Sequence, residues 1–227
     1  MDLEALSVTF RLAAITTAIL LIIAIPLAYW IVSTRSRMRA IVEAVTTLPI
    51  LLPPTVLGFY LLVLLGQRTA FGRIWIHLTG HTLAFTFTGL VIGSAIYSLP
   101  FAVQPIVAGF SSIDIALIEQ ARLLGASRWR ILRAVLIPLS ARSIAAAALL
   151  CFTHTVGEFG VVLMVGGDIP GATRTLSIAI YDQVQEFAYA DANRTALVLV
   201  AIAVTALILL YARRGAYPAA ASGARHD

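Results

Sequence analysis

The chain contains no lysine, and all sixteen of its basic residues are arginine. A phosphate-binding P-loop ends its glycine-rich turn in lysine, so this chain carries no ATPase site of that kind. Schiff-base chemistry is excluded on the same ground. A single cysteine, Cys151, rules out an internal disulfide; set in an apolar run, it reads as a small core hydrophobe. Charge is also scarce. Only 12% of the residues are charged, against about 25% in soluble domains. No group of His, Cys, Asp or Glu has metal-ligand spacing. The acidic start, Met1-Asp2-Leu3-Glu4, is unlike the basic start of a cleavable signal, so the first apolar segment is expected to remain in the mature protein.

What is present is apolar length. The hydrophobic fraction is 60% and the mean hydropathy +0.94, values of an all-α integral membrane protein. At 227 residues the chain makes one compact bundle. A bilayer core takes about 20 apolar helical residues. Five spans are expected, at about 8–33, 44–65, 83–107, 137–165 and 195–212, in one domain covering 6–213. His77, Gly80 and His81 assign the stretch before the third span to a loop, and Gly157-Glu158-Phe159-Gly160 interrupts the fourth. Pro26, Pro49, Pro53, Pro54 and Pro100 lie in or beside spans, where neighbouring helices can satisfy the freed carbonyls. Residues 214–227, rich in Ala and Gly, are expected to form a disordered cytoplasmic tail.

The net charge is +5, but the arginines flank spans, which argues against nucleic-acid binding. Arg35, Arg37 and Arg39 follow the first span; Arg122, Arg128, Arg130, Arg133 and Arg142 lie between the third and fourth; Arg213 and Arg214 follow the fifth. All fall on one side, which the positive-inside rule makes cytoplasmic. The N-terminus is then outside and the C-terminus inside.

The segment 111–136 is polar where a bilayer requires nothing polar. Asp114 suits a helix N-terminus. Leu117, Ile118, Ala121 and Leu124 then share one face, with Glu119, Gln120 and Arg122 opposite. Gly125 suits a left-handed helix end, Ser127 can cap a second helix, and Pro138 kinks that helix as it enters the membrane. Two short helices around a sharp turn either dock into a partner's groove or lie as an interfacial loop; the residues alone leave both open.

Here the sequence resembles the inner-membrane permeases of ATP-binding-cassette importers. Their signature loop has Glu-Ala-Ala, three residues, Gly, nine residues, then Ile, any residue, Leu and Pro. This chain has Glu119, Ala121, Gly125 and Pro138 in register, departing at Gln120, Val135 and Ile137. Within the family the likeness is to molybdate permeases, carried by the proline-rich run Thr47 to Gly58, by Gly157 to Gly160 and by Ile169 to Thr175. Sulfate and tungstate permeases are relatives. The resemblance implies that Glu119, Ala121 and Gly125 belong to a coupling helix that docks on an ATPase subunit. It implies a second copy of the chain, two ATPase subunits that bind the ATP, and a periplasmic molybdate-binding protein, all at a bacterial inner membrane. This chain would bind no cofactor and catalyse nothing.

An oxyanion crossing the bundle needs polar groups, and no span has an arginine at its centre. Candidates are the hydroxyls of Thr46, Thr47, Thr55, Thr86, Thr88, Ser94, Ser98, Thr153 and Thr155, although most such hydroxyls bond a carbonyl one turn back. Glu158 is the most costly polar residue in any span, at about 2.5–3.5 kcal/mol on insertion scales. With Gly157 and Gly160 beside it, it reads as a gate brace or as a buried structural contact. His154 reads as a packed core histidine rather than a proton relay. A third amphipathic stretch, with Ile178, Tyr181, Val184 and Phe187 or Ala188 on one face, lies before the last span. Two other classes compete: an ATPase-independent channel, and an integral-membrane enzyme, for which only Glu158 and His154 lie at span depth.

Overall fold

The computed structural model describes residues 2–212, all helix, turn and loop among the described residues. Asp2 starts the first helix, α1 (Leu3–Ser33), by accepting the Ala5 N–H at 2.9 Å, and Pro26 is carried inside it. The next apolar run is two helices, α2 (Met38–Leu51) and α3 (Pro54–Leu65), which meet at 111°. Pro53 and Pro54 account for the bend: Pro54 lacks the N–H an uninterrupted helix would need, and Pro53 disfavours helical backbone at Leu52.

A short helix follows, α4 (Ala70–Thr79). This corrects the loop expected around His77. Thr69 caps the helix through the Gly72 N–H at 3.0 Å, and Gly80, at φ +77°, ends it. The glycine marks the helix end, so His77 sits in a last turn.

The third long element is α5 (Phe87–Ser111), begun by Thr86, whose hydroxyl accepts the Gly89 N–H at 3.1 Å. Then come α6 (Ile115–Leu123), α7 (Arg128–Ile131), one π-helical turn (Leu132–Leu136), and α8 (Ile137–Leu139), bent by 76° into α9 (Ala141–Gly157). The wide turn precedes Pro138, whose ring displaces the normal hydrogen-bond ladder. After the break at Glu158 come α10 (Gly160–Gly166), α11 (Leu176–Gln185) and α12 (Tyr189–Ala212). Three helices, α1, α5 and α12, are long and apolar enough to cross a membrane, and counting each bent pair as one span gives five.

The bundle is built on α1, α5 and α9. Their contact surfaces carry Ala24, Ala28, Ala102, Ala147 and Cys151, all buried. Small side chains let backbones approach where lipid supplies no hydrophobic drive between helices. Gly109 shows how close: a Cβ there would stand 2.5 Å from the Ser143 side chain. A second cluster joins α3 to α10 through Leu57, Leu61, Val161 and Val165. Leu197, Val200, Val204 and Ile208 of α12 remain exposed, as suits a lipid-facing helix. Arg213, Arg214 and the expected 214–227 tail lie outside the described residues.

Candidate functional site

The polar segment folds as a helix–turn–helix corner. Asp114 caps α6 by accepting the Ala116 N–H at 2.9 Å. At the other end Gly125 has φ +78°, and the Ala126 N–H reaches back to the Ala121 carbonyl at 3.0 Å, a Schellman-type end. The Ser127 hydroxyl then accepts the Arg130 N–H at 3.3 Å, beginning α7. The apolar residues divide. Ile118, Ala121 and Ala126 pack against the bundle, where Ile131, Leu132 and Leu136 are buried. Leu117, Leu123, Leu124 and Trp129 are exposed, Leu123 and Leu124 by 88% and 87%. The shared face expected for Leu117, Ile118, Ala121 and Leu124 is therefore split, because the chain reverses at Gly125 and leaves the preceding leucines at the tip. Glu119 is exposed beside them.

The second region is a cleft of about 560 Å³ where the start of α3 meets the α9–α10 break. Pro54 and Thr55 of α3, Tyr97 of α5, Thr153, His154 and Gly157 of α9, and Glu158 with the start of α10 line it. Glu158 is 5% exposed. Its Oε1 accepts the Val161 N–H at 2.7 Å and its Oε2 the Val162 N–H at 3.1 Å. The carboxylate thus satisfies the free donors of α10 and accounts for a charged residue at a helix break. Of the two expected roles for Glu158, a structural contact is the one these bonds describe.

Of the expected pathway residues, Thr55, Thr153, Gly157 and Glu158 come together here. Thr46 and Thr47 stand apart on α2: the Thr46 hydroxyl donates to the Glu43 carbonyl at 3.0 Å, and the Thr47 hydroxyl accepts from Gln104 at 3.3 Å. Thr153 lines the cleft, but its hydroxyl donates back to the Leu149 carbonyl. His154 is half-buried, stacked on Phe101 with ring centroids 4.1 Å apart, and its Nδ1 lies 2.9 Å from the Ser98 hydroxyl. It is a wall residue rather than a core one.

A third feature escaped the sequence. Arg174 forms a fork with Asp168, Nε to Oδ1 at 2.5 Å and Nη2 to Oδ2 at 2.8 Å. Asp182 of α11 approaches it at 3.4 Å and Asp2 at 4.0 Å. The clasp joins the start of α1, the α10–α11 loop and α11. Hydrogen bonding from Arg174 holds the Asp168 carboxyl below the usual range. Burial, followed by the hydrogen bond with and charge of Asp168, pushes Asp182 up to about 6. The one sequence signal was Arg174 among acidic neighbours. In the third amphipathic stretch, Ile178 is buried while Tyr181, Val184 and Phe187 are exposed.

A multi-pass helical bundle with a polar corner at one end and a largely apolar cleft, dotted with Thr55, Thr153 and His154, between broken helices has the architecture of a membrane permease. Residues 20–215 match the family described as binding-protein-dependent transport system inner membrane component, and the chain belongs to that family. It is 46% identical over 213 residues to the molybdenum transport system permease protein ModB of Azotobacter vinelandii, covering 94% of both chains. Against ModB of Escherichia coli K12 the identity is 34% over 172 residues, 75% of each chain. The fold is shared with a bacterial ABC transporter involved in the import of the acidic polysaccharide alginate, with TM-score 0.73 and 20% identity over 95% of this chain and 80% of that one.

Proposed function

We propose that this chain is the permease subunit of an ATP-driven importer and forms the transmembrane path for molybdate. The observation that carries the substrate is the 46% identity to ModB of Azotobacter vinelandii across 94% of both chains. In this proposal two copies pack around a central path, with the cleft of each facing the other. The arginine-rich end is cytoplasmic, in a bacterial inner membrane. The corner at 111–136 docks an ATPase subunit, using exposed Leu117, Leu123, Leu124 and Trp129 around Glu119. Glu119, Ala121 and Gly125 shape that coupling helix, and Pro138 redirects the chain into the bilayer. A periplasmic binding protein delivers the anion to the opposite end.

The geometry supports transport without tight binding. The cleft offers hydroxyls and an imidazole, and no arginine among its lining residues. The carboxylate that would repel an anion is held by α10 N–H groups. Weak contact suits a path, because the anion must leave it.

The test of the substrate is competition. Cells carrying this permease with its ATPase and binding protein should take up labelled molybdate, with unlabelled sulfate in excess competing poorly. Sulfate competing as well as unlabelled molybdate would move the assignment to the sulfate branch, whose CysT from Escherichia coli K12 is 32% identical over 184 residues.

A further inference from the structure

The hydrogen-bond directions around His154 fix its tautomer. The Thr155 hydroxyl donates to the Cys151 carbonyl at 2.9 Å, a bond in which the carbonyl can only accept. Thr155 has then used its one proton. In the 3.1 Å contact with Ser98 it must accept, so Ser98 donates. Ser98 has used its proton in turn, and in the 2.9 Å contact with His154 it must accept from Nδ1–H. Ser98 and Thr155 are buried, so water does not offer them another arrangement. Phe101 stacks on the ring and Tyr97 lies 4.9 Å from it, centroid to centroid, which holds its plane. The neutral ring therefore carries its proton on Nδ1 and an unshared pair on Nε2, and His154 is one of the residues that line the cleft.

We propose that His154 is a substrate-contacting residue of the path, and that a tetrahedral oxyanion passes its Nε2 together with one proton. This rests on the permease proposal above. A bare dianion meets a lone pair at Nε2 and is repelled. A hydronium ion gives one proton to the Nε2 lone pair, its O–H bond breaking as the N–H forms and leaving water, and the same contact becomes an N–H···O bond to the dianion. A proton already on the anion makes the equivalent O–H···N bond. No other bond changes, and the proton departs to water after the anion.

Few other ionisable groups face the ring. From α5 there is Tyr97; from the α9–α10 break there is Glu158, both of whose oxygens are taken by α10. On its own helix Cys151 is buried in the bundle core. The cleft residues of α3 and α10, Thr55, Leu163 and Met164 among them, bring no ionisable side chain.

The experiment is ATP-driven molybdate uptake by proteoliposomes holding the full complex, with binding protein outside, across a pH series and normalised to assembled complex. The wild type is compared with His154→Gln and Ser98→Ala. At subsaturating molybdate and pH about 6, His154→Gln should reduce uptake about tenfold, the weight of a charge-assisted hydrogen bond. That deficit should shrink toward alkaline pH. Ser98→Ala keeps the imidazole but releases the tautomer, and should flatten the wild-type pH profile. If His154→Gln does not assemble, Ser98→Ala alone decides. A wild-type-to-variant ratio constant across pH, or an unchanged Ser98→Ala profile, overturns the proposal. Absence of wild-type uptake would instead overturn the permease proposal itself.

Discussion

Gly160 lies against Pro54, so close that a Cβ at 160 would stand 2.6 Å from the Pro54 Cβ. The start of α3 therefore meets the α9–α10 break, and the cleft forms at that junction. Gly58, one turn further along α3, repeats the pattern, since a Cβ there would stand 2.8 Å from the Met164 Cβ. Overpacking of this kind costs about 1–3 kcal/mol. Gly160→Ala and Gly58→Ala should each lower the melting temperature of the detergent-solubilised protein, whereas Gly157→Ala, with open space around it, should not.

The Glu158 carboxylate supplies both acceptors for the start of α10. Removing it leaves two buried N–H groups without partners, at about 1–3 kcal/mol each. Glu158→Ala should be strongly destabilising. Glu158→Gln should fall between it and the wild type, because an amide offers one oxygen and turns an N–H₂ toward the second donor. Thermal melting of the three proteins checks the order; equal melting for alanine and wild type would contradict the capping role.

At the opposite end from the α6–α7 corner, the Arg174 clasp contributes a pH dependence whose sign follows from Asp182. Its carboxyl is raised to about 6 in the folded protein, above the usual carboxylate value of about 3.9. The folded state thus binds the proton more tightly than the unfolded state. Its stabilising contribution is complete below about 3.9 and is lost as pH rises through about 6. Asp168 has the opposite sign, being depressed by Arg174, so its contribution is present above the usual carboxylate value and lost in stronger acid. Asp182→Asn should melt higher than the wild type above pH about 6, with the difference vanishing near pH about 4. Melting curves at both ends of this range check it.

Gly125 turns the α6–α7 corner at φ +78°, and a Cβ there would meet nothing within 4 Å, so backbone conformation alone decides what the position tolerates. A left-handed L-residue costs about 1–2 kcal/mol, and β-branched residues fare worst. Gly125→Val should abolish co-purification of the ATPase while membrane insertion persists. Gly125→Asn, which tolerates the left-handed region, should retain it. Full ATPase co-purification with Gly125→Val would contradict the coupling assignment.

Much of this arrangement was legible in the sequence. Apolar length marks the spans, and the cost of Glu158 between glycines marks the α9–α10 break. Asp114, Gly125 and Ser127 mark the corner because capping chemistry is local. The 111° bend at Leu52 and Pro53 was less visible, since hydropathy runs through it unbroken. Helix α4 was hidden by its histidine and by the glycine that ends it. The direction a hydroxyl faces is set by packing across helices, which is why Thr153 joins the cleft and Thr46 does not. The clasp was least legible: Asp2 and Arg174 meet only after the whole bundle has folded.

The central claim is that this chain conducts an oxyanion only when an ATPase on its docking corner drives it. Uptake of labelled molybdate into proteoliposomes tests it, with ATPase, binding protein and ATP each present or withheld. Uptake should require all three, and a catalytically dead ATPase should abolish it while still assembling. Molybdate entry at an undiminished rate without the ATPase would contradict the account and return the chain to the channels.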